Sequence, residues 1–407
     1  MVPETSRREV IRSSAAALTA ASYGRVMGAN DRIRMGTIGT GGRGKFLMRE
    51  LIKVGGVEWI AVSDVYSVRR DEAAGIAGGP VRAYNDYRQL LDHKEIEAVI
   101  VATPDHWHAQ ATIDACNAGK DVYVEKPMVH YPEHGQAVVR AARANKRVIA
   151  VGTHTRAIPH IQEARERFVD SGMMGKIGLV RTWIDSNSGY AQTPPPGMEQ
   201  KPDGLDWDRW LGPGPKVPWN PDIYFSPYKW LHYDGGMIMG IGIHSIDSAH
   251  QFLKLTNPSA ALAGGGLYRF KDGRDTGDVV NLILEYPQEV NVTFEAEVMT
   301  VGMPQQRAAG TEFRGTGGVL QVLWYDKDLG YEFTPNPKTS QAAAAKAPGS
   351  PFNPTPLLKN WLECLRTRRK PVSNEETGYY SAIACFMCNQ AYRTRSRVVW
   401  NPEWSLP

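Results

Sequence analysis

No stretch of this chain reaches the roughly 18 consecutive apolar residues that a membrane span needs, so no spanning helix is expected. Cysteine is scarce, at four in 407 residues, and a chain this long does not depend on disulfides for its core. Net charge is nearly absent: 47 Lys and Arg against 43 Asp and Glu leave +4. That balance, with no basic run long enough to form an arm, gives no reason to invoke nucleic acid. Cys385 and Cys388 do form a CxxC in SAIACFMCNQAYR. The pattern around them is helical, so packing is expected ahead of a redox or metal pair, and no second pair completes a zinc site. No metal is expected.

What remains is a soluble globular composition, 42% hydrophobic and 22% charged, in a chain too long for one ordinary core. Two domains are expected after an N-terminal address, divided as residues 1–30, 31–153 and 154–407. The address is Ser6-Arg7-Arg8-Glu9-Val10-Ile11-Arg12 followed by a small-residue run from Ser13 to Ser22. Adjacent arginines before a weakly hydrophobic stretch resemble a twin-arginine signal, which implies export to the periplasm. A disordered basic N-terminus is the plainer alternative.

Arg34 to Ile38 reads as a buried strand that runs into Gly39-Thr40-Gly41-Gly42-Arg43-Gly44, a GxGxxG, and then into the helical KFLMRELIKV. Gly39 suits a tight turn, Gly41 the approach of a pyrophosphate, and Gly44 close helix–strand packing. VEWIAVSDV follows as a second strand and ends at Asp64, 25 positions after Gly39. An acid about 20 residues on is expected at the ribose 2′-OH, and it favours NAD; Arg69 and Arg70 just beyond keep NADP as the alternative. Strand and helix patterns then alternate through RVIAVGTH, as in a doubly wound parallel sheet. Ligands bind where such strands end. Those ends carry Thr103, Pro104, Asp105, His106, Trp107 and His108, then Glu125, Lys126 and Pro127, then Thr153 and His154.

TIGTGGRG, VATPDHWH, VEKP and GIGIHSIDSAHQFL, in this order and spacing, resemble the glucose–fructose oxidoreductase/inositol dehydrogenase/rhizopine catabolism family of NAD(P)-dependent sugar oxidoreductases. The resemblance covers nearly the whole chain after the address. It implies an N-terminal Rossmann domain and a C-terminal domain built on an open, mostly antiparallel sheet that also makes dimers or tetramers. Residues past 175 agree independently, because GKIGLVRTWID, VVNLILEYP, EVNVTFEAEVM and GVLQVLWY are β-rich runs. LLKNWLECLRTR sits where family members carry a helix packed on this second domain. KTSQAAAAKAPGSPFNPTP reads as a mobile surface loop.

Oxidation of a sugar alcohol needs a base for the hydroxyl proton and a partner for the developing alkoxide. The resemblance places these roles on Lys126, which would also orient the cofactor, and on His244. It places an aspartate four residues before the histidine, where this chain has Gly240. Asp234, His154, Arg156 and Lys229 are the candidate substitutes and substrate contacts. Trp230 and Tyr233 join them from an aromatic-rich segment, residues 187–233, whose other aromatics are expected to fill a satellite core or a subunit interface. Cofactor contacts are expected from Gly39, Thr40, Gly41, Gly42, Arg43, Gly44, Asp64, Thr103, Pro104, His106, His108, Glu125 and Lys126. The leading expectation is an exported, NAD-dependent oxidoreductase acting on a sugar, sugar derivative or glycoside with a tightly held cofactor. An NAD-dependent glycosidase or lyase working without net redox is the alternative, and a non-catalytic sugar-binding protein is the third.

Overall fold

The structure, a computed structural model, describes residues 32–185, 194–298, 309–325 and 329–407. The arginine-containing address lies outside the described residues. Six parallel strands form the first sheet: β1 (Ile33–Ile38), β2 (Val57–Ser63), β3 (Arg82–Tyr84), β4 (Ala98–Val101), β5 (Asp121–Val124) and β6 (Ile149–Val151). Their order is β3-β2-β1-β4-β5-β6, the doubly wound arrangement. Ala98–Val101 and Asp121–Val124 are buried on both faces, which is why they read as continuous apolar runs rather than alternating ones. Helices α1 (Gly42–Val54), α2 (Ser67–Ala77), α3 (Tyr87–Leu91), α4 (His108–Asn117) and α5 (Pro132–Asn145) make the crossovers. Ile38 pairs with Ser63 on one side and Val101 on the other, so the sheet changes winding direction where the glycine-rich turn begins.

After α6 (Pro159–Ala164) the chain builds a nine-stranded sheet from β7 (Ile177–Asp185), β8 (Ala260–Gly266), β9 (Val279–Tyr286), β10 (Val290–Glu297), β11 (Ala309–Gly315), β12 (Gly318–Tyr325), β13 (Gly330–Pro335), β14 (Ala345–Pro348) and β15 (Val398–Val399). Every described pairing in it is antiparallel except β7 with β10. The strict alternation of β9 and β10 shows the cause: one face is buried against helices and the other is wet. Between β7 and β8 lie α7 (Trp207–Leu211), α8 (Pro221–Phe225) and α9 (Ile243–Leu253), which rests on the inner face of the sheet.

Two expectations need correction. Residues 338–356 are no featureless loop, because Ala345–Pro348 pairs with β13 and Phe352 turns inward. The helix α10 (Thr355–Thr367) packs on the first domain, not the second. Leu357, Leu358, Trp361 and Leu362 share a core with Leu47, Met48 and Leu51, and the Trp361 ring lies 5.6 Å from that of Tyr123. Its apolar stripe is what a helix lying on a sheet requires, and sequence periodicity cannot tell which sheet. The last helix, α11 (Glu375–Thr394), is capped by Asn374 and fully buries Cys385 and Cys388. Burial raises both thiols far above their ordinary range, so they pack rather than react.

Candidate active site

A cavity of about 220 Å³ opens at the ends of β1, β2 and β4, lined by Gly39, Gly41, Gly42, Arg43, Asp64, Thr103 and Pro104 among others. Gly39 has φ +84°, and a Cβ there would stand 2.5 Å from the Thr103 nitrogen. A Cβ on Gly44 would fall 2.1 Å from the Gly39 carbonyl oxygen, so neither position tolerates a side chain. Gly42 faces open space, and a Cβ on Gly41 would meet only the Arg69 guanidinium, at 3.5 Å. Thr103 Oγ1 and Tyr224 OH are buried in the cavity lining without a partner. An open backbone cradle at a helix start, a carboxylate at the end of β2 and two orphaned hydroxyls fit a dinucleotide. The Asp64 carboxylate meanwhile accepts from the Thr40 and Tyr66 amides at 2.7 and 2.9 Å. Arg70 is committed to the Asp64 carbonyl and Asn85, whereas Arg69 lines the cavity and lies over the Tyr224 ring at 4.6 Å.

Arg43 reaches out of the glycine-rich turn and donates to Glu125 at 2.7 Å. Burial pushes the Glu125 carboxyl up, but Arg43 and Lys126 outweigh it and hold the group below its ordinary range. Lys126 follows at the end of β5, with the Lys126–Pro127 bond cis. Its Nζ donates to the Gly240 carbonyl at 2.5 Å, across the junction of the two domains. Gly240 belongs to a π-helical turn, Ile238–Gly242, that leads directly into α9 and His244. Such turns recur at functional sites because they re-aim the helix that follows.

His244 is 4% exposed and its Nδ1 has no partner. Its ring centroid lies 5.2 Å from that of His154, 5.6 Å from Phe352 and 6.0 Å from Trp324. Burial, reinforced by His154, Lys126 and Arg43, holds its proton affinity well below that of an ordinary imidazole. His154 is lowered to about 4, by burial first and then by Arg43. Both imidazoles are therefore neutral at physiological pH.

Asp234 Oδ1 stands 2.9 Å from the place a Cβ on Gly240 would occupy, and it is buried without a partner. Asp105, whose Oδ2 is likewise buried and unpartnered, faces it. Burial raises both carboxyls above the usual range, and Asp105 further raises Asp234.

Several expected contacts are spent elsewhere. His106 faces the Trp210 carbonyl at 2.9 Å, and His108 faces the Pro127 and Thr103 carbonyls at 2.7 and 2.9 Å. His108 thus braces two strand ends and His106 the aromatic segment, and the cavity lining they were expected in is supplied by Trp107 instead. Arg156 grips the fully buried Asp247, with bonds of 2.8 to 3.0 Å, and Ser381 donates to the same carboxylate. Lys229 pairs with Asp222 at 3.0 Å and Asp272 at 3.2 Å. Tyr233 donates its hydroxyl to the Pro215 carbonyl and belongs, with Trp207, Trp210 and Tyr224, to a satellite core. Trp230 is half-buried at the edge of that cluster. The aromatic segment thus acts mainly as packing, as expected, but it packs over the cofactor cavity: Arg209, Trp210, Tyr224 and Pro227 complete the lining. His130 and Phe352 went unremarked in the sequence. A histidine four positions after Lys126 was the only local signal for the first, and the second had none.

Residues 33–153 match the family described as "Oxidoreductase family, NAD-binding Rossmann fold", and residues 209–321 match the GFO/IDH/MocA C-terminal domain. An inositol 2-dehydrogenase of Salmonella typhimurium is 31% identical over 150 residues, 36% of this chain and 44% of that protein. A glycosyl hydrolase family 109 protein of Solibacter usitatus is 28% identical over 165 residues, 35% of this chain and 38% of its own. The chain thus aligns with less than half the length of these curated relatives. The structure of an aldose-aldose oxidoreductase from Caulobacter crescentus superposes with a TM-score of 0.69 at 19% identity, covering 91% of this chain and all of that one. The two matched segments fall on the two sheets just described, in the order the family requires, and the chain belongs to the GFO/IDH/MocA oxidoreductase family.

Proposed function

We propose that the protein oxidises a secondary alcohol of a sugar, a sugar derivative or a glycoside with NAD. The observation that carries the reading is the convergence at Lys126. The same strand end is tied to the glycine-rich turn through Glu125 and Arg43, and to the His244 helix through Gly240. Gly39, Gly41 and Gly42 would hold the pyrophosphate, Asp64 the ribose, and Thr103 and Tyr224 the remaining polar edge. The dinucleotide, when bound, supplies the acceptor for the hydrogen and electron pair leaving the carbinol carbon. The chain's own groups handle the oxygen. Lys126 stabilises the developing alkoxide with its charge, and neutral His244 orients the hydroxyl through its unpartnered Nδ1.

A firmly held cofactor and export through the arginine-containing address belong to the same proposal. Retention is supported by the aromatic cluster over the cavity and by Arg209, which pairs with both Asp86 and Asp206. Assembly through the wet face of the nine-stranded sheet, where Ile283 is exposed, completes it. The test is to purify the protein, denature it and measure the nicotinamide dinucleotide released, then follow NADH with myo-inositol, aldoses and nitrophenyl glycosides. Near one NAD per chain with NADH formation supports oxidation. Release of nitrophenol without NADH moves the chemistry to cleavage, and an empty site that binds NAD weakly sinks both.

A further inference from the structure

Oxidation of an alcohol releases one proton in a buried place, and neither residue nearest the reacting oxygen can keep it. His244 is held neutral by burial, and Lys126 is needed charged. Behind Lys126 lies a group of side chains that the proposed chemistry has not used. Asp105 sits in the short turn after β4, Asp234 in the turn before the π-helical segment, and His130 four residues beyond Lys126.

Three observations tie them together. Asp105 Oδ2 and Asp234 Oδ1 are both buried with no donor to accept from, and each carboxyl group feels the charge of the other, which favours a proton held between them. Asp234 occupies the space left by the absent side chain of Gly240, whose carbonyl takes the Lys126 ammonium. Finally, His130, with its side chain 5% exposed, points an unpartnered Nε2 at Asp105 Oδ2 from 4.0 Å. On its far side a cavity of about 90 Å³ is lined by Asp105, His130, His134 and His232, and the last two are exposed.

We propose that Asp105 and Asp234 form a proton-sharing couple that serves Lys126, and that His130 connects this couple to water through the cavity beside His134 and His232. This rests on the oxidoreductase reading. In the resting site the couple holds one proton. Lys126 swings Nζ from the Gly240 carbonyl to Asp234, gives up one ammonium proton, and takes the proton of the substrate hydroxyl. The O–H bond breaks as hydrogen and an electron pair leave the carbon, and the couple now holds two protons. Asp105 returns to one by protonating His130 Nε2, and His130 releases that proton into the cavity. Asp105 and Asp234 are positioning residues in this scheme, because they act through Lys126.

The surroundings agree. Asp105 is faced by His108, Lys126 and Glu125, and Asp234 by Lys126 and His130, so the couple sits among both signs of charge. Burial raises both carboxyls, which favours the shared proton at neutral pH. His130 is lowered to about 4 by burial, although Asp234 pulls it up, so it carries a proton only in passage.

The first readout needs no substrate. Infrared spectra of the whole protein titrated through neutral pH should show the C=O band of a protonated carboxyl group, lost in both Asp105→Asn and Asp234→Asn. With NAD and whichever of myo-inositol or the aldoses is consumed, both variants should keep KM within about threefold while kcat falls by roughly 10²-fold or more. The rising limb of their pH–rate profile should also move. His130→Gln should keep the infrared band, slow turnover, and regain rate with added imidazole. Absence of the band in the wild type, or its survival in both Asn variants, overturns the couple. Unchanged turnover and pH profile in His130→Gln overturn the connection to water. A band that behaves as described in a protein that oxidises nothing on the panel supports the couple and rejects the oxidoreductase reading instead.

Discussion

Arg43 Nε donates to Glu125 Oε1 at 2.7 Å, and this bond joins the turn that would hold a pyrophosphate to the strand end that carries Lys126. The Glu125 side chain is 7% exposed and that of Arg43 36%. Removing the arginine alone strands a buried carboxylate. Arg43→Met should cost about 2–3 kcal/mol, below the roughly 3–5 of a fully buried pair because Arg43 is partly solvated. Adding Glu125→Gln to that variant should restore part of the loss in urea denaturation. The folded Glu125 carboxyl is held low, so its contribution is present above the ordinary value of about 4.3 and vanishes as pH falls through the folded one. Glu125→Gln should therefore flatten the acid limb of the stability curve.

Asp234 predicts the opposite sign. Its folded carboxyl is raised, first by burial and then by Asp105, so the native state binds more protons than the unfolded chain above about pH 4. Stability must then fall as pH rises from there through the folded value. Asp234→Asn should remove that slope and leave the protein at least as stable as wild type at pH 8, while turnover collapses. Chemical denaturation at pH 5 and pH 8 decides it, and a parallel loss of stability at both pH values would count against a shared proton.

The first domain was readable almost strand by strand, because most strands of its parallel sheet are short buried apolar runs, each followed by turn residues and a crossover helix. Gly39 and Gly44 were legible for a steric reason that holds in any such turn. The stripe of α10 was legible but its partner was not, since burial against either sheet gives the same period. Side chains such as Arg156 and Lys229 misled because a cation looks alike in sequence whether it meets a ligand or an aspartate of its own chain. Asp247 and Asp272 lie 91 and 43 residues away along the chain. The Asp105–Asp234 pair was hidden for the same reason: nothing in a linear sequence announces that two turns 129 residues apart meet.

Gly240 is where the chain departs from the pattern it otherwise resembles, and the space it leaves is filled by Asp234. A methyl group there would lie 2.9 Å from Asp234 Oδ1, so the carboxylate must move. Gly240→Ala should lower kcat by about tenfold or more, while NAD affinity, set at the far end of the glycine-rich turn, stays unchanged. Single-turnover kinetics and NAD titration on the same preparation separate the two effects.

Phe352 covers the two imidazoles beside Lys126, with its ring 4.2 Å from His154 and 5.6 Å from His244. Desolvation is the first cause of the lowered value of about 4 at His154. Phe352→Ala admits water and should raise the His154 titration toward the ordinary imidazole value of about 6.5, as read by NMR. An unmoved titration would show that Arg43, the second cause, dominates.

Asp64 and Arg69 both line the cavity, one an anion and the other a cation. With Asp64 in place a 2′-phosphate meets a buried carboxylate, and the ribose hydroxyl gains a charged acceptor. A hydrogen bond to a charged group is worth about 1.5–3 kcal/mol, so Asp64→Ala should weaken NAD by roughly 10- to 100-fold. The same change removes the repulsion and leaves Arg69, free to leave the face of Tyr224, to meet a phosphate. NADP should therefore weaken far less or gain, and the ratio of the two affinities by calorimetry should shift toward NADP. Adding Arg69→Ala should cancel the NADP gain without restoring NAD, because the two residues recognise different groups at one ribose.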